Sequence, residues 1–470
     1  MSRNSGTDIP AAHQGEAATD AWITDGNLPR AIWRLALPMT GAAVLADVFT
    51  LVDLFFVGKL GPAAIAAVGI GGIIASVIYM LGVGVTTGCT ALVAKAIGAG
   101  EGERAELVAG QAMLLCVALS VGVAAVGIPV AAAVLRLLGA EGDVLAMGAS
   151  YLRITCGGSI AIFLTITFGA ALRGAGDATT PLRMVGFATL VNVILDPILI
   201  FGLLGVPAMG VAGSAWATVA ARGVSALLLG RVFFRDGHRH FRLTGRHLLP
   251  RWRLMWEMVR IGIFGSGRML LIHVSGMAMV RLVAGFGTAA LAAFGIGRRL
   301  QMLVFMPGMG FANAAATLTG QNLGAGRPDR AVRAGWLTAG IYGLIALAMT
   351  AIFAGFARPL VGIFNSDPAV VDMGTSFIRW FAASYVALAF SLVLGRAMMG
   401  AGDTFWPMVL TGLGAIGVRI PLAVGLTKTW GSATGVWAAM SLSNFFMAVF
   451  FILAFRWGRW KVIGMRQMER

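Results

Sequence analysis

The chain has 470 residues, 58% of them apolar and only 12% charged, with a mean hydropathy of +0.85. A soluble domain carries roughly twice that share of charge, so soluble enzymes and soluble binding modules are excluded at the outset. The net charge of +16 would suggest nucleic acid in a soluble protein, but here the basic residues collect in alternate loops, as the positive-inside rule requires of a membrane protein, and no nucleic-acid partner is expected.

In chain order, residues 1–28 are polar, lack the apolar core of a signal peptide and read as a disordered cytoplasmic tail. Apolar runs then predict helices over 31–58, 62–92, 107–135, 147–172, 183–204 and 211–234, long enough to cross a bilayer at about 20 residues each, within a first lobe spanning 29–234. A basic cytoplasmic linker over 235–256 follows. Further helices over 257–284, 288–314, 334–356, 373–400, 405–428 and 432–456 make a second lobe spanning 257–456, and 457–470 is a basic cytoplasmic tail. Glycine, at 65 residues, is about twice as common as usual, and in membrane helices small residues let backbones approach closely. Cys89, Cys116 and Cys156 all lie in apolar segments without paired spacing, so neither a disulfide framework nor a zinc site is expected.

The two lobes are copies. A constant offset of 226 residues lays "GPAAIAAVGIG" from Gly61 over "GTAALAAFGIG" from Gly287, and "ALRGAGDATTP" from Ala171 over "AMMGAGDTFWP" from Ala397. Six helices per copy is an even number, so both copies enter the membrane in the same orientation, as parallel repeats about an axis along the membrane normal. The expected fold is an all-α polytopic membrane protein of twelve transmembrane helices in two six-helix lobes, the layout of an alternating-access transporter. The "GAGD" at Gly174–Asp177 matches an intramembrane protease signature, but it recurs at Gly400–Asp403 and reads as a cytoplasmic turn.

Three acidic residues fall at membrane depth: Asp47 and Asp53 in the first helix and Asp196 in the fifth. Ionised carboxylates are costly in hydrocarbon and mark ion or proton pathways by default. Asn192 shares a helix face with Asp196, and Pro197 frees the carbonyl of Val193. Carboxylate, amide and carbonyl oxygens together suit either a proton or a hard cation. Structural readings stand beside this one: Asp196 capping a kinked helix, Asp53 reaching the interface near Lys59, Asp47 on a separate face. The second copy discards these acids, placing His273, Met279, Val418 and Leu422 at the positions of Asp47, Asp53, Asn192 and Asp196. It carries instead Arg268, Arg281, Arg298, Arg299, Arg396 and Arg419. Of these, Arg268, Arg299 and Arg419, with His273, are candidates for a substrate cavity, or else bond helix carbonyls and core neighbours.

The motifs "LALPMTG", "VDLFFVGKLG", "GAALRGAGDATTP", "NVILDPILIFGLLGVPAMGVAGSAWAT", "GIGRRLQ" and "GQNLGAG", in this order, resemble the multidrug and toxic compound extrusion (MATE) family from about Pro29 to Trp457. The resemblance implies a twelve-helix antiporter exporting organic compounds against an inward flow of H+ or Na+, with no other cofactor. It also implies that Asp53, Asn192, Asp196 and Thr218 form the first-lobe cation site of the DinF-like members. The acidic residues that another branch uses in helices seven and ten are missing here, and Asp47 is unusual for the family. The first-lobe acids favour lipophilic cations as substrates, while the arginines leave room for an organic anion. A monomer in the plasma (inner) membrane with both termini cytoplasmic is expected. A lipid-linked flippase and a passive channel remain alternatives. An enzyme ranks last, because no nucleophile–base pair, metal cluster or phosphate loop lies at membrane depth.

Overall fold

The computed structural model describes residues 22–236 and 238–466. The first copy comprises α1 (Leu28–Gly58), α2 (Pro62–Gly98), α3 (Gly102–Leu137), α4 (Gly142–Gly157), α5 (Ser159–Gly174), α6 (Thr179–Phe201) and α7 (Val211–Arg231). The second comprises α8 (Trp252–Ala284), α9 (Thr288–Gly324), α10 (Pro328–Gly355), the short α11 (Ala357–Gly362), α12 (Pro368–Ala382), α13 (Tyr385–Gly400), α14 (Phe405–Gly412), α15 (Arg419–Trp430) and α16 (Thr434–Trp457). Helix α17 (Arg459–Arg466) follows. Among the described residues, ten helices are long and apolar enough to cross a membrane. The pairs α4/α5 and α12/α13, bent by 49° and 52°, bring the number to twelve if each counts as one span. Leu51, Phe55, Ile73, Val121 and Leu227 are among many large apolar side chains on the outside, far more than a soluble protein leaves to water.

The duplication is visible in the backbone. Gly61, Gly100, Gly176 and Gly205 have positive φ, and so do Gly287, Gly326, Gly402 and Gly431, each 226 residues later. The left-handed region is nearly closed to residues with a Cβ, so the same turns recur with the same residue type. The copies diverge between α14 and α15, where Leu413–Val418 is π-helical, while the corresponding part of α6 is a continuous α-helix.

The lobes exchange helix ends. Ile32 and Leu35 of α1 are buried in the core of the second lobe. Their counterparts by the repeat, Met258 and Ile261 of α8, are buried in the core of the first. Between the lobes, Thr40 Oγ1 donates to the Pro307 carbonyl at 3.4 Å, and Ser266 Oγ to Met80 O at 3.0 Å. Thr317 Oγ1 donates to Arg173 O at 2.9 Å, and Gln321 Nε2 to Gly174 O at 2.8 Å. Helices α2 and α8 approach so closely that a Cβ on Gly262 would stand 2.7 Å from the Gly84 carbonyl oxygen. These contacts join the lobes in the half of the bundle toward the basic loops.

Ordered structure reaches into both expected tails. Residues 22–24 are helical, Ile23 is fully buried against the second lobe, and Arg327 pairs with Asp25. Order thus begins ahead of residue 28; residues 1–21 lie outside the described residues. In the basic tail, Trp460 is fully buried and donates to Phe455 O at 3.0 Å, which anchors α17. The linker is also fastened. Gln111 of α3 donates to His247 O and Leu249 O and accepts from Arg251 N, and Phe233, Phe241 and Leu243 are buried in the first-lobe core.

Candidate functional site

Helices α1, α6 and α7 each send polar side chains to one point in the first lobe. The Asn192 amide nitrogen lies 3.3 Å from Asp53 Oδ1 and 3.3 Å from Asp196 Oδ1, bridging the carboxylates. Thr218 Oγ1 donates to Asp53 Oδ2 at 3.0 Å, and Ser214 Oγ to Asp53 Oδ1 at 3.5 Å. Asn192 and Asp196 are fully buried. Asn192 Oδ1 and Asp196 Oδ2 have no hydrogen-bond partner, an arrangement that is costly unless something binds there. Two carboxylates sharing a buried site repel unless a proton or cation lies between them. The donor set fits either: an orphaned carboxylate oxygen for a proton, or a group of side-chain oxygens for Na+.

The expected residues Asp53, Asn192, Asp196 and Thr218 are thus brought together, and Ser214, which the sequence did not single out, joins them. Asp47 does not. It is exposed on another face of α1, with no hydrogen bond or ion pair to this group. The reason is helical geometry: six residues along a helix amount to 1.67 turns, so Asp47 and Asp53 point in different directions.

The four expected substrate residues are placed elsewhere. Arg268 donates to Thr411 Oγ1 at 3.0 Å and Met399 Sδ at 3.5 Å and lies over the Phe451 ring. Arg419 donates to Ser443 Oγ at 2.8 Å and Asn444 Oδ1 at 3.0 Å, tying α15 to α16. His273 is exposed and bonds the Met269 carbonyl one turn back at 2.8 Å. Arg299 is exposed. None of the four lines the cavity between the lobes.

That cavity, of about 300 Å³, is walled by both copies. Five methionines line it (Met39, Met184, Met269, Met309 and Met399), together with Tyr79, Asn313 and several threonines. Three arginines project into it: Arg173 from α5, Arg222 from α7 and Arg396 from α13. Arg173 is the next-to-last residue of α5, so in the sequence alone it reads as a charge of the adjoining turn rather than of a cavity.

At the basic end the two "GAGD" turns differ. Burial alone would raise the Asp177 carboxyl, but hydrogen bonds from His238, Thr180 and Thr179 outweigh it and hold the group well below the usual carboxylate range. Burial pushes the Asp403 carboxyl up, and its Oδ2 has no partner.

The MatE family model matches residues 38–198 and again 266–424, once in each copy. The chain is 28% identical over 442 residues to the probable multidrug resistance protein NorM of Thermotoga maritima, covering 93% of this chain and 94% of that protein. It is 26% identical over 421 residues to an FAD transporter of Shewanella oneidensis, covering 89% and 92%. A solved structure of a multidrug resistance MATE family transporter of the MOP superfamily, in an outward-facing conformation, aligns with a TM-score of 0.87 at 25% identity, over 94% of this chain and 98% of that one. With both family segments in register with its duplicated helices, the chain belongs to the MatE family and is a MATE family transporter.

Proposed function

We propose that this transporter is a secondary active multidrug efflux antiporter, exchanging H+ or Na+ for organic compounds by alternating access. The observation that carries the reading is the first-lobe group of Asp53, Asn192, Asp196, Thr218 and Ser214, with two buried oxygens left without partners. The multidrug resistance protein matched along nearly the whole chain supports the efflux direction.

Loading the site with a proton or Na+ removes the repulsion between the two carboxylates and draws α1, α6 and α7 together. Helix α1 carries Asp53 beyond Pro38, while its first turns are packed into the second lobe. Proline inside a helix leaves one carbonyl without a donor and is a usual place for a bend, so ion binding is transmitted to the seam between the lobes. The basic end is cytoplasmic by the positive-inside rule. The lobes are joined toward the basic end, which is then the cytoplasmic gate; the pose is outward-facing, and the protein works as a monomer in the plasma membrane.

The test uses proteoliposomes holding a fluorescent organic substrate, with a pH gradient and a sodium gradient imposed separately. Uphill movement driven by one gradient supports the antiporter and names its ion. Movement that is only downhill under both gradients rejects it.

A further inference from the structure

Among the half-buried arginines, the three that line the cavity differ from Arg268 and Arg419. Arg268 and Arg419 spend their N–H groups on Thr411, Ser443 and Asn444. Among the described residues, no guanidinium N–H of Arg173, Arg222 or Arg396 has a protein acceptor, and no carboxylate lies within 4.0 Å to pair with them. Among the described residues, no acidic side chain lines the cavity. Arg173 and Arg396 are close enough to repel one another, and Tyr79 lies within electrostatic reach of all three. The Arg222 guanidinium carbon lies over the Phe49 ring, 4.7 Å from its centroid.

Asp53 lies within electrostatic reach of Arg222, but one carboxylate shared with the first-lobe cluster leaves like charges in excess inside a membrane protein, which is unfavourable unless an anion completes the site. A guanidinium is a fixed, planar donor suited to carboxylate, phosphate and sulfonate oxygens. Opposite the arginines, methionines supply a soft apolar wall that adapts to different shapes.

We propose that Arg173, Arg222 and Arg396 form an anion-binding end of the substrate cavity, so that the molecules carried combine an apolar body with a carboxylate, phosphate or sulfonate group. The proposal rests on the reading of this cavity as the transport site. It assigns the first-lobe acids to the coupling ion alone, because they belong to a separate polar cluster and do not line the cavity.

The experiment measures binding of carboxyfluorescein, an aromatic anion, and ethidium, an aromatic cation, to the purified full-length protein. Both dyes are then followed in proteoliposomes under each ion gradient. The expected result is saturable carboxyfluorescein binding, weakened about tenfold or more in Arg222→Gln and Arg396→Gln, the cost of losing one charge-assisted contact. Arg396→Lys, which keeps the charge, retains part of the affinity. Equal thermal midpoints show that the variants are folded. Competition by a short-chain anionic phospholipid, stronger than by free phosphate, would assign the same arginines to a lipid headgroup.

Ethidium binding without carboxyfluorescein binding overturns the proposal, as does carboxyfluorescein binding that the glutamine variants leave unchanged. Arginine-dependent binding with no uphill movement of either dye supports the anion site while rejecting the antiporter, so the two readings fail separately.

Discussion

Replacing Asp196 by Asn keeps the size of the side chain and its place beside Asn192, but removes one of the two carboxylates that must repel before an ion binds. In the wild-type protein, one-for-one exchange driven by a gradient of one pH unit, with the membrane potential clamped at zero, makes about 1.4 kcal/mol available, enough to hold roughly a tenfold substrate ratio across the membrane. Without the second carboxylate that ratio should fall to about one. Stability should move the other way. Asp196 is fully buried with Oδ2 unpartnered, so neutralising it removes a desolvation cost of about 1–3 kcal/mol. The assay pairs uphill dye movement in proteoliposomes with the thermal unfolding midpoint of the same preparation. Loss of uphill movement together with an equal or higher midpoint separates lost coupling from misfolding. An Asp196→Asn variant that still sustains the wild-type ratio under either gradient refutes the assignment of this carboxylate to coupling.

Three further outcomes follow from the geometry. Asp47→Asn should transport within about twofold of wild type, because Asp47 stands apart from the acid pair; a loss as deep as that of Asp196→Asn in the same assay would return Asp47 to the coupling site. Gly262→Val should force α8 away from α2, since even a Cβ there meets the Gly84 carbonyl at 2.7 Å. Overpacking of this kind costs about 1–3 kcal/mol, so maleimide labelling of the buried Cys89 beside this seam should accelerate, and an unchanged rate would show that the seam tolerates the branch. Asp177→Ala removes the acceptor of the Thr179 and Thr180 N–H groups ahead of α6, a loss of about 1–2 kcal/mol. The folded carboxyl lies below its ordinary value of 3.8, so the unfolded chain binds more protons in that window and the stabilisation is lost as pH falls from 3.8 through the folded value. The gap in thermal midpoint between wild type and variant should therefore be full at pH 7 and shrink in strong acid; a constant gap would assign the effect to something other than the charge.

The sequence by itself determined the spans, the duplication and the Asn192–Asp196 half of the first-lobe acid cluster. Each of these is local or periodic. A bilayer demands long apolar runs, a repeat preserves its turns, and helical geometry puts Asn192 and Asp196 on one face whatever surrounds them. The recurrence of positive φ at Gly176 and Gly402, predictable from aligned "GAGD" turns, belongs to the same class.

Tertiary structure decided what depends on how helices face one another. It selected Asp53 over Asp47, because the rotation of α1 is fixed by its packing against α6, α7 and the second lobe, and hydropathy does not encode that angle. It consumed Arg268 and Arg419 in hydrogen bonds within their own lobe, whose acceptors lie on other helices. It also gathered Arg173, Arg222 and Arg396, which the repeat could not reveal: the equivalent positions in the other copy hold Met399, Ala448 and Ala170. Their convergence exists only where the two lobes close around a shared cavity, and an interface between distant segments leaves no periodic trace in the chain.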